Sequence, residues 1–426
     1  MLSQGLLSVV GLVDIAMVGR LGSGAVAAVG YASQFFHLSQ SVLFAVGFAC
    51  VALMAQAIGA GDPQRARRAL AAALIVSLSA ACVLTAVMVG ASATLLGALG
   101  AEPAAIALGV PYLRLIVGSS LLLAVSMVLE FGLRADRDAR TPMLIAGAVT
   151  LVKLGLNALL IFGAFGAPRL GLVGAGLATL ISQCVGLVLF VSVVLRASAD
   201  SPLGLRPRDL VAAPALIPEV LRIATPSVGE RLANNFALLA YFRVLSDYGS
   251  VAIATYTVGI RLLSFTWIPG VGFGTTASTL VGQALGAGNP DGAARAGWRS
   301  AGLALAVAVV LGGACLLFPT PLARLFTDDE ELAAALVPFL ICLALAQPAL
   351  QSHFALGGAH RGAGDTWTPF IASSLGNWAL RVPIATLLAF WLQAPVVWIW
   401  AVILADHTLR ATWLALSFRR GGWART

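Results

Sequence analysis

The chain has 426 residues, of which 59% are hydrophobic and 10% charged, with a formal net charge of +8. Soluble domains are about 45–50% apolar and about 25% charged, so this composition disfavours a soluble enzyme, a disordered chain and a nucleic-acid binder. The basic residues are scattered between apolar segments and form no nucleic-acid-binding block. The five cysteines all lie inside apolar segments, without metal-ligand spacing, and indicate neither a metal site nor a disulfide framework.

Apolar runs long enough to cross a bilayer, at about 20 residues each, predict twelve transmembrane helices. Their extents are 1–19, 25–57, 69–98, 104–133, 142–165, 171–196, 216–246, 250–285, 298–323, 331–359, 367–391 and 395–418. The first span is barely long enough to cross the membrane. By the internal repeat described below, residue 1 corresponds to residue 228, whereas the seventh span begins near residue 216. About a dozen residues at the start of the seventh span thus have no counterpart in the first span, so we expect that this first helix is truncated.

The arginines between the spans predict the orientation. Fifteen lie in the loops on one side or in the C-terminal tail, against three in the opposite loops. Since loops rich in arginine and lysine face the cytoplasm, we expect an integral protein of the plasma (inner) membrane with both termini cytoplasmic.

One sequence pattern recurs at a fixed offset. "GAGDPQRARRA" (59–69) matches "GAGNPDGAARA" (286–296) at seven of eleven positions, a shift of 286 − 59 = 227. The same shift aligns "RADRDARTP" (134–142) with "RGAGDTWTP" (361–369). A repeat at one offset indicates duplicated units, and an even number of spans in each half gives both halves the same orientation, as in parallel-repeat transporters.

The sequence therefore predicts an all-α membrane protein with twelve transmembrane helices in two six-helix lobes related by a parallel internal repeat. We place an N-terminal lobe at 1–197, a cytoplasmic linker at 198–215, a C-terminal lobe at 216–420 and a cytoplasmic tail at 421–426.

Several segments together resemble the multidrug and toxic compound extrusion (MATE) family. They are "GLVDIAMVGRLG" (11–22), "FGAFGAPRLGLVGAGLAT" (162–179), "GQALGAGN" (282–289), "RGAGDTWTP" (361–369) and "NWALRVP" (377–383). The resemblance implies a V-shaped pair of six-helix bundles that exports amphipathic, often cationic, organic molecules in exchange for H⁺ or Na⁺.

Alternatives to an antiporter are a lipid or lipid-linked oligosaccharide flippase of a related two-lobed fold, an inactive homologue, and a membrane-embedded enzyme. The sequence contains neither "HExxH" nor "GxSxG", so an enzyme is not expected. No cofactor is expected beyond the coupling ion. The expected partners are small organic, often cationic, substrates and the lipid bilayer, with no nucleic acid, and the expected state is a monomer.

Ionisable side chains inside spans are costly and are functional candidates by default. Asp14 lies within the first span, between two apolar residues. Lys153, the only lysine in the chain, lies in the fifth span with Asn157 four residues on, hence on the same helix face. Packing of a satisfied polar group, or a lysine that reaches to the membrane surface, is the alternative interpretation.

The family resemblance implies a first-lobe cation site built from the Asp of the first helix, two polar positions four apart on the fifth helix, and a Thr on the sixth. These positions correspond to Asp14, Lys153, Asn157 and Thr179. This chain departs from the pattern because lysine stands where the family usually has asparagine. We hypothesise that the ammonium of Lys153 occupies the cation site, so that coupling is to H⁺ rather than Na⁺.

The second half offers Glu230 in the seventh span, where the resemblance implies a functional acid. An ion pair between Glu230 and an intramembrane arginine, such as Arg243 or Arg261, is the alternative. Arg381 is interpreted as a residue that serves packing or the stability of the lobe. His353 is interpreted as a hydrogen-bonding residue of the core, with a proton relay as the alternative. In the last span we expect a cluster that satisfies its own charges, or else a proton route, formed by Asp406, His407 and Arg410.

Overall fold

The computed structural model describes residues 17–163, 166, 168–198, 200–327 and 329–425, and throughout this part of the chain the regular elements are helices. The helices of the first half are α1 (Ser23–Gly59), α2 (Pro63–Gly90), α3 (Ser92–Ala98), α4 (Pro103–Gly118), α5 (Ser120–Ala135), α6 (Arg140–Phe162), α7 (Gly171–Arg196) and α8 (Pro207–Ala212). Those of the second half are α9 (Ile217–Leu245), α10 (Gly249–Gly286), α11 (Pro290–Leu317), α12 (Pro319–Phe326), α13 (Glu330–Gly362), α14 (Trp367–Ser374), α15 (Val382–Thr386) and α16 (Val396–Arg420).

The helices confirm the all-α membrane fold expected from composition. Within the described residues, eight helical stretches are long and apolar enough to cross a bilayer. The predicted spans from 25–57 onward each coincide with one helix or two consecutive helices, except 367–391, which covers α14, α15 and two π-helical segments. The prediction for 1–19 falls mostly on residues outside the described part of the chain.

A proline explains one of the places where the structure divides a predicted span. The expected helix 298–323 is interrupted between α11 and α12, because Pro319 has no backbone N–H to continue the ladder of α11. The expected helix 367–391 contains two wider π-helical turns, at Leu375–Arg381 and Leu387–Trp391, on either side of α15. Such turns occur frequently at functional sites.

Loop geometry repeats at the offset found in the sequence. The side chain of Asp62 caps α2 by accepting the backbone N–H three residues on at 2.8 Å, and Asn289 caps α11 in the same way at 2.7 Å. The residue before each cap is a glycine with positive φ, 70° at Gly61 and 69° at Gly288. The two halves therefore share their local backbone as well as their sequence pattern.

A second pair of loops repeats the correspondence. Asp138 accepts the backbone N–H of the residue three positions on at 3.0 Å, and so does Asp365 at 3.0 Å. Arg137 and Gly364, which precede these acids, have φ of 64° and 87°. Positive φ favours glycine, so only the second half has the unstrained residue at this position.

Small residues bring α10 and α13 into backbone contact. A Cβ added at Gly358 would lie 2.0 Å from the carbonyl oxygen of Gly274, and one at Gly362 would lie 2.2 Å from that of Ser278. On each helix the two small residues are four positions apart, which is the small-xxx-small spacing that allows close helix packing in membranes.

The segment between the halves is folded onto the first half. Arg67 of α2 and Asp209 of α8 form a buried ion pair at 3.1 Å, and Arg67 also donates to the carbonyl of Ser201 at 3.2 Å. Leu203 lies in the apolar core that contains Phe131. The chain divides into two compact units, and the main boundary between them lies between residues 224 and 225, inside α9.

Candidate functional site

Lys153 and Asn157 both lie on α6, one helical turn apart. Asn157 is buried, whereas Lys153 is partly buried. The i, i+4 spacing places the two side chains on the same face of the helix. The structure therefore brings together two of the four residues expected at the first-lobe cation site.

Thr179 lies on α7, which packs closely against α6. A Cβ added at Gly174 of α7 would lie 2.3 Å from the carbonyl oxygen of Leu160 in α6, so this approach requires a glycine. Thr179 is buried, and its hydroxyl donates to the carbonyl of Ala175 at 3.1 Å. Its hydrogen bond thus stays within its own helix.

Asp14 lies outside the described residues, so the expectation that it joins Lys153, Asn157 and Thr179 stays a prediction.

Glu230 forms a buried ion pair inside the second half. The carboxylate accepts from Arg361 Nη2 at 2.6 Å and from the hydroxyl of Ser373 at 2.9 Å. The expected pairing with Arg243 is wrong, because Arg243 lies near the end of α9 and contacts Asp247 at 3.3 Å on the exposed surface. The side chain of Arg261, the other expected partner, lies outside the described part of the chain.

Sequence reasoning missed Arg361 as a partner because it counted this residue among the loop charges. The last turn of α13 extends to Gly362, so Arg361 belongs to the helix and its side chain turns inward. The repeat offered a signal: the corresponding residue in the first half is Arg134, which forms an ion pair with Glu130 one turn earlier.

Asp406 is the centre of a second buried cluster. Its carboxylate is fully buried and pairs with Arg410 at 2.6 Å and with Arg381 at 2.6 Å. Arg381 therefore supplies part of the compensating charge, in keeping with a role in the stability of the lobe. An ionised carboxylate without such partners would be very costly in this environment.

Two amides join this cluster to α9. Asn377, in the first π-helical turn, accepts from Arg410 Nη2 at 2.6 Å and donates to Asn234. Gly376, the preceding residue, makes room for the ion pair, because a Cβ there would lie 2.1 Å from Asp406 Oδ1. The wide helical turn thus presents an amide to the cluster and lets the last span approach.

Two histidines border the same cluster. The rings of His353 and His407 stack at 5.2 Å, and His407 Nε2 lies 3.5 Å from Arg381. In the described part of the chain, neither Nδ1 atom has a hydrogen-bond partner. His353 thus stacks on His407, and His407 contacts Arg381 rather than Asp406 or Arg410.

Asp365 lies outside the membrane spans, just before α14. Burial raises its pKa, but hydrogen bonds from His360 and from the side chain and backbone of Thr368 outweigh burial, and the pKa lies below its ordinary value. His360 Nδ1 is 2.9 Å from the carboxylate. This acid therefore anchors the loop that follows α13, four residues after Arg361.

The comparisons with known proteins cover almost the whole chain. The family model described as MatE matches residues 1–159 and 226–387. A probable multidrug resistance protein NorM of Thermotoga maritima is 29% identical over 97% of this chain and 89% of that protein. A protein of the same name from Bradyrhizobium diazoefficiens is 30% identical over 95% of this chain and 88% of that protein.

Solved structures give the same fold. A MOP superfamily transporter from Pyrococcus furiosus superposes with a TM-score of 0.92 at 22% identity, covering 100% of this chain and 94% of that one. Together with the family match over both halves, this shows that the chain belongs to the MATE family of membrane transporters and is an integral membrane protein.

Proposed function

We propose that this protein is a proton-coupled antiporter that exports amphipathic, often cationic, organic compounds across the plasma membrane by alternating access. Membership of the MATE family and relatives named as multidrug resistance proteins support efflux of this kind. The observation that carries the proposal is that ionisable side chains lie within the spans of both halves, at Lys153 and at the Glu230–Arg361 pair. The distribution of arginines supports a cytoplasmic position for both termini.

Asp14 is the proposed proton carrier of the first half. Proton uptake from the outside removes its negative charge, weakens the hold on a cationic substrate and releases the substrate outside. The proton then leaves toward the cytoplasm and substrate rebinds. One charge moving through 100 mV supplies about 2.3 kcal/mol, to which a pH gradient adds.

Lys153, Asn157 and Thr179 complete the proposed site. The ammonium of Lys153 stands where a metal cation would otherwise bind, and one positive charge repels another. We therefore assign coupling to H⁺ rather than Na⁺. Glu230 is the proposed second-half acid, and the 2.6 Å ion pair with Arg361 must open before it can take a proton or a cationic substrate.

Efflux of a fluorescent organic cation from proteoliposomes without ATP tests this function. We expect efflux driven by a proton gradient alone, abolished in Asp14→Asn and retained in Lys153→Arg, which keeps the positive charge. Lys153→Asn is expected to permit Na⁺-driven efflux. Equal Na⁺ dependence of the wild type and Lys153→Asn would contradict the role given to Lys153.

One observation favours a second candidate, a carrier of molecules with an anionic group, including lipid-linked ones. Among the described side chains in and beside the second-half clusters, four arginines face two acids. They are Arg231, Arg361, Arg381 and Arg410, against Glu230 and Asp406. Translocation of a fluorescent anionic lipid in vesicles, without efflux of organic cations, would select this candidate.

A further inference from the structure

A cavity of about 430 Å³ lies in the first half, where the helices meet the segment that leads to the second half. Its walls are apolar and come from α2, α5 and α7, with Leu129 of α5 and Val191 and Val194 of α7 among them. The volume is within the range of about 300–1,000 Å³ typical of ligand pockets. The cavity is distinct from the polar residues assigned to transport.

One side of the cavity is formed by the segment between α7 and α8. Gly204 and Arg206 line it, and a Cβ added at Gly204 would lie 2.4 Å from the carbonyl oxygen of Ser198. The buried Arg67–Asp209 pair holds this segment against α2. This segment is thus held in place by a close glycine contact and an ion pair.

The rim of the cavity is basic. The side chain of Arg206 is 47% exposed, and the carboxylate of Asp200, 3.9 Å away, is fully exposed, so this ion pair is weak. Arg196 ends α7 beside the cavity, and its side chain is exposed too. Positive charge at the mouth suits an anionic group and opposes an organic cation.

The surface beside the cavity is apolar. Leu195, which also lines it, is 79% exposed near the end of the apolar helix α7. In a transmembrane protein such a surface is covered by lipid chains. Basic pockets between transmembrane helices, at the level of the headgroups, bind anionic lipids.

We propose that this cavity binds one acyl chain of an anionic phospholipid, with the phosphate of the headgroup at Arg206. The chain fills the apolar walls and the headgroup contacts the segment that joins the two halves. Bound lipid therefore stabilises the position of that segment on the first half.

Native mass spectrometry of the full chain, in detergent with equal amounts of phosphatidylglycerol and phosphatidylcholine, tests the proposal. We expect preferential retention of phosphatidylglycerol. Arg206→Gln should lower this retention about fivefold, the effect of one basic residue at an anionic surface. Arg208→Gln removes the same charge two residues away, outside the cavity lining, and should leave retention near the wild-type value.

Val191→Trp, which fills the cavity, should lower the retention of both lipids at this site. Val188→Trp, on the exposed face of the same helix, is its control. Glycerol 3-phosphate, which has the charge without the chains, should not compete. Equal retention of the two lipids by the wild type, equal effects of the two arginine substitutions, or competition by glycerol 3-phosphate would each overturn the proposal. Arg206→Gln is an exposed change and keeps the test decisive if Val191→Trp does not fold.

Discussion

Gly376 leaves the space in which the Asp406–Arg410 ion pair sits. A Cβ at this position would lie 2.1 Å from Asp406 Oδ1 and 2.6 Å from Arg410 Nε. Since both groups are buried and charged, neither can move into solvent. The absence of a side chain at residue 376 thus leaves room for the paired charges of the last span.

Gly376→Ala should therefore lower the free energy of unfolding by about 1–3 kcal/mol, the usual cost of overpacking a core. Thermal unfolding in detergent measures the change. Gly302→Ala in α11, where an added Cβ meets nothing within 4 Å, is the matched control and should be neutral or stabilising. Equal melting temperatures for both variants would contradict the crowding at Gly376.

The Glu230–Arg361 pair should have a large effect when only one partner is removed. Glu230→Gln or Arg361→Gln alone should cost about 3–5 kcal/mol, because each leaves an uncompensated buried charge. The double variant should recover part of this loss, since it leaves neither charge. Unfolding of the four proteins in a double-mutant cycle gives the coupling energy.

The exposed Arg65–Glu219 pair, with side chains 56% and 41% exposed, provides the comparison. Its cycle should give a coupling energy of about 0–1 kcal/mol. A coupling energy of that size for Glu230–Arg361 would mean that the pair is solvated rather than buried.

Asp365 should contribute stability that disappears in acid. Its pKa lies below the ordinary value of 3.8, so its charged form is stabilised by folding. The contribution is therefore fully present above that value and is lost as the pH falls through the lower folded value. The difference in melting temperature between wild type and Asp365→Asn should be constant near neutral pH and shrink below about pH 4. A difference that grows in acid would have the wrong sign.

At the scale of residues, the sequence identified which side chains were unusual but not how they pair. Glu230, Asp406 and Arg410 were predictable as intramembrane charges, because such residues are rare in spans. The partners of these charges were not predictable. Arg361 is 131 residues from Glu230 in the sequence, and their contact requires the last residues of α13 to direct the Arg361 side chain inward. Asn234 and Asn377 carry no charge and so gave no comparable signal.

The contact between α10 and α13 shows how elements are held together without large apolar side chains. Helices in lipid gain little from apolar burial against one another, so close packing through small residues contributes more. Gly358 of α13 and Gly274 of α10 meet backbone to backbone at this contact.

Gly358→Ala should push the two helices apart and destabilise the second half by about 1–3 kcal/mol. Chymotrypsin-resistant fragments or thermal unfolding in detergent report the change. Gly313→Ala, on α11 with open space at the Cβ position, should have little effect. If both variants unfold alike, the backbone contact does not stabilise the helix pair.

Helices could be predicted with good accuracy because long apolar runs have few alternatives in a membrane. Interruptions within the helices were harder to predict from the sequence. The π-helical turn at Leu375–Arg381 has no periodic signature in the sequence, and it contains Asn377 and Arg381, which contact buried charges. The segment 198–215 was expected as a polar linker, yet Leu203 and Asp209 of this segment pack into the first half.

The internal repeat relates the two halves of the whole molecule. Gly61 and Gly288 have the same positive φ, and Asp62 and Asn289 cap the following helices in the same way. A sequence offset of 227 was sufficient to predict this correspondence. The offset alone does not predict how charged side chains pair in each half, because the two halves carry different residues at many equivalent positions.

The ionisable groups assigned to transport differ between the two halves, and we expect the halves to have different roles. Within the described residues, Glu230 and Asp406 of the second half are paired with arginines, whereas Lys153 of the first half lies near Asn157 on α6. We therefore expect the coupling proton to be carried in the first half, at Asp14, and the second half to respond through the Glu230–Arg361 pair.

Substrate-driven proton movement tests the central claim most directly. Liposomes that contain the protein and a pH-sensitive dye are placed in Na⁺-free buffer without a pH gradient, and an organic cation is added outside. Proton-coupled exchange predicts that the lumen becomes alkaline as the cation enters, and that Asp14→Asn abolishes this change. Entry of the cation with no change in lumenal pH, but with outward movement of Na⁺ when Na⁺ is supplied inside, would contradict proton coupling.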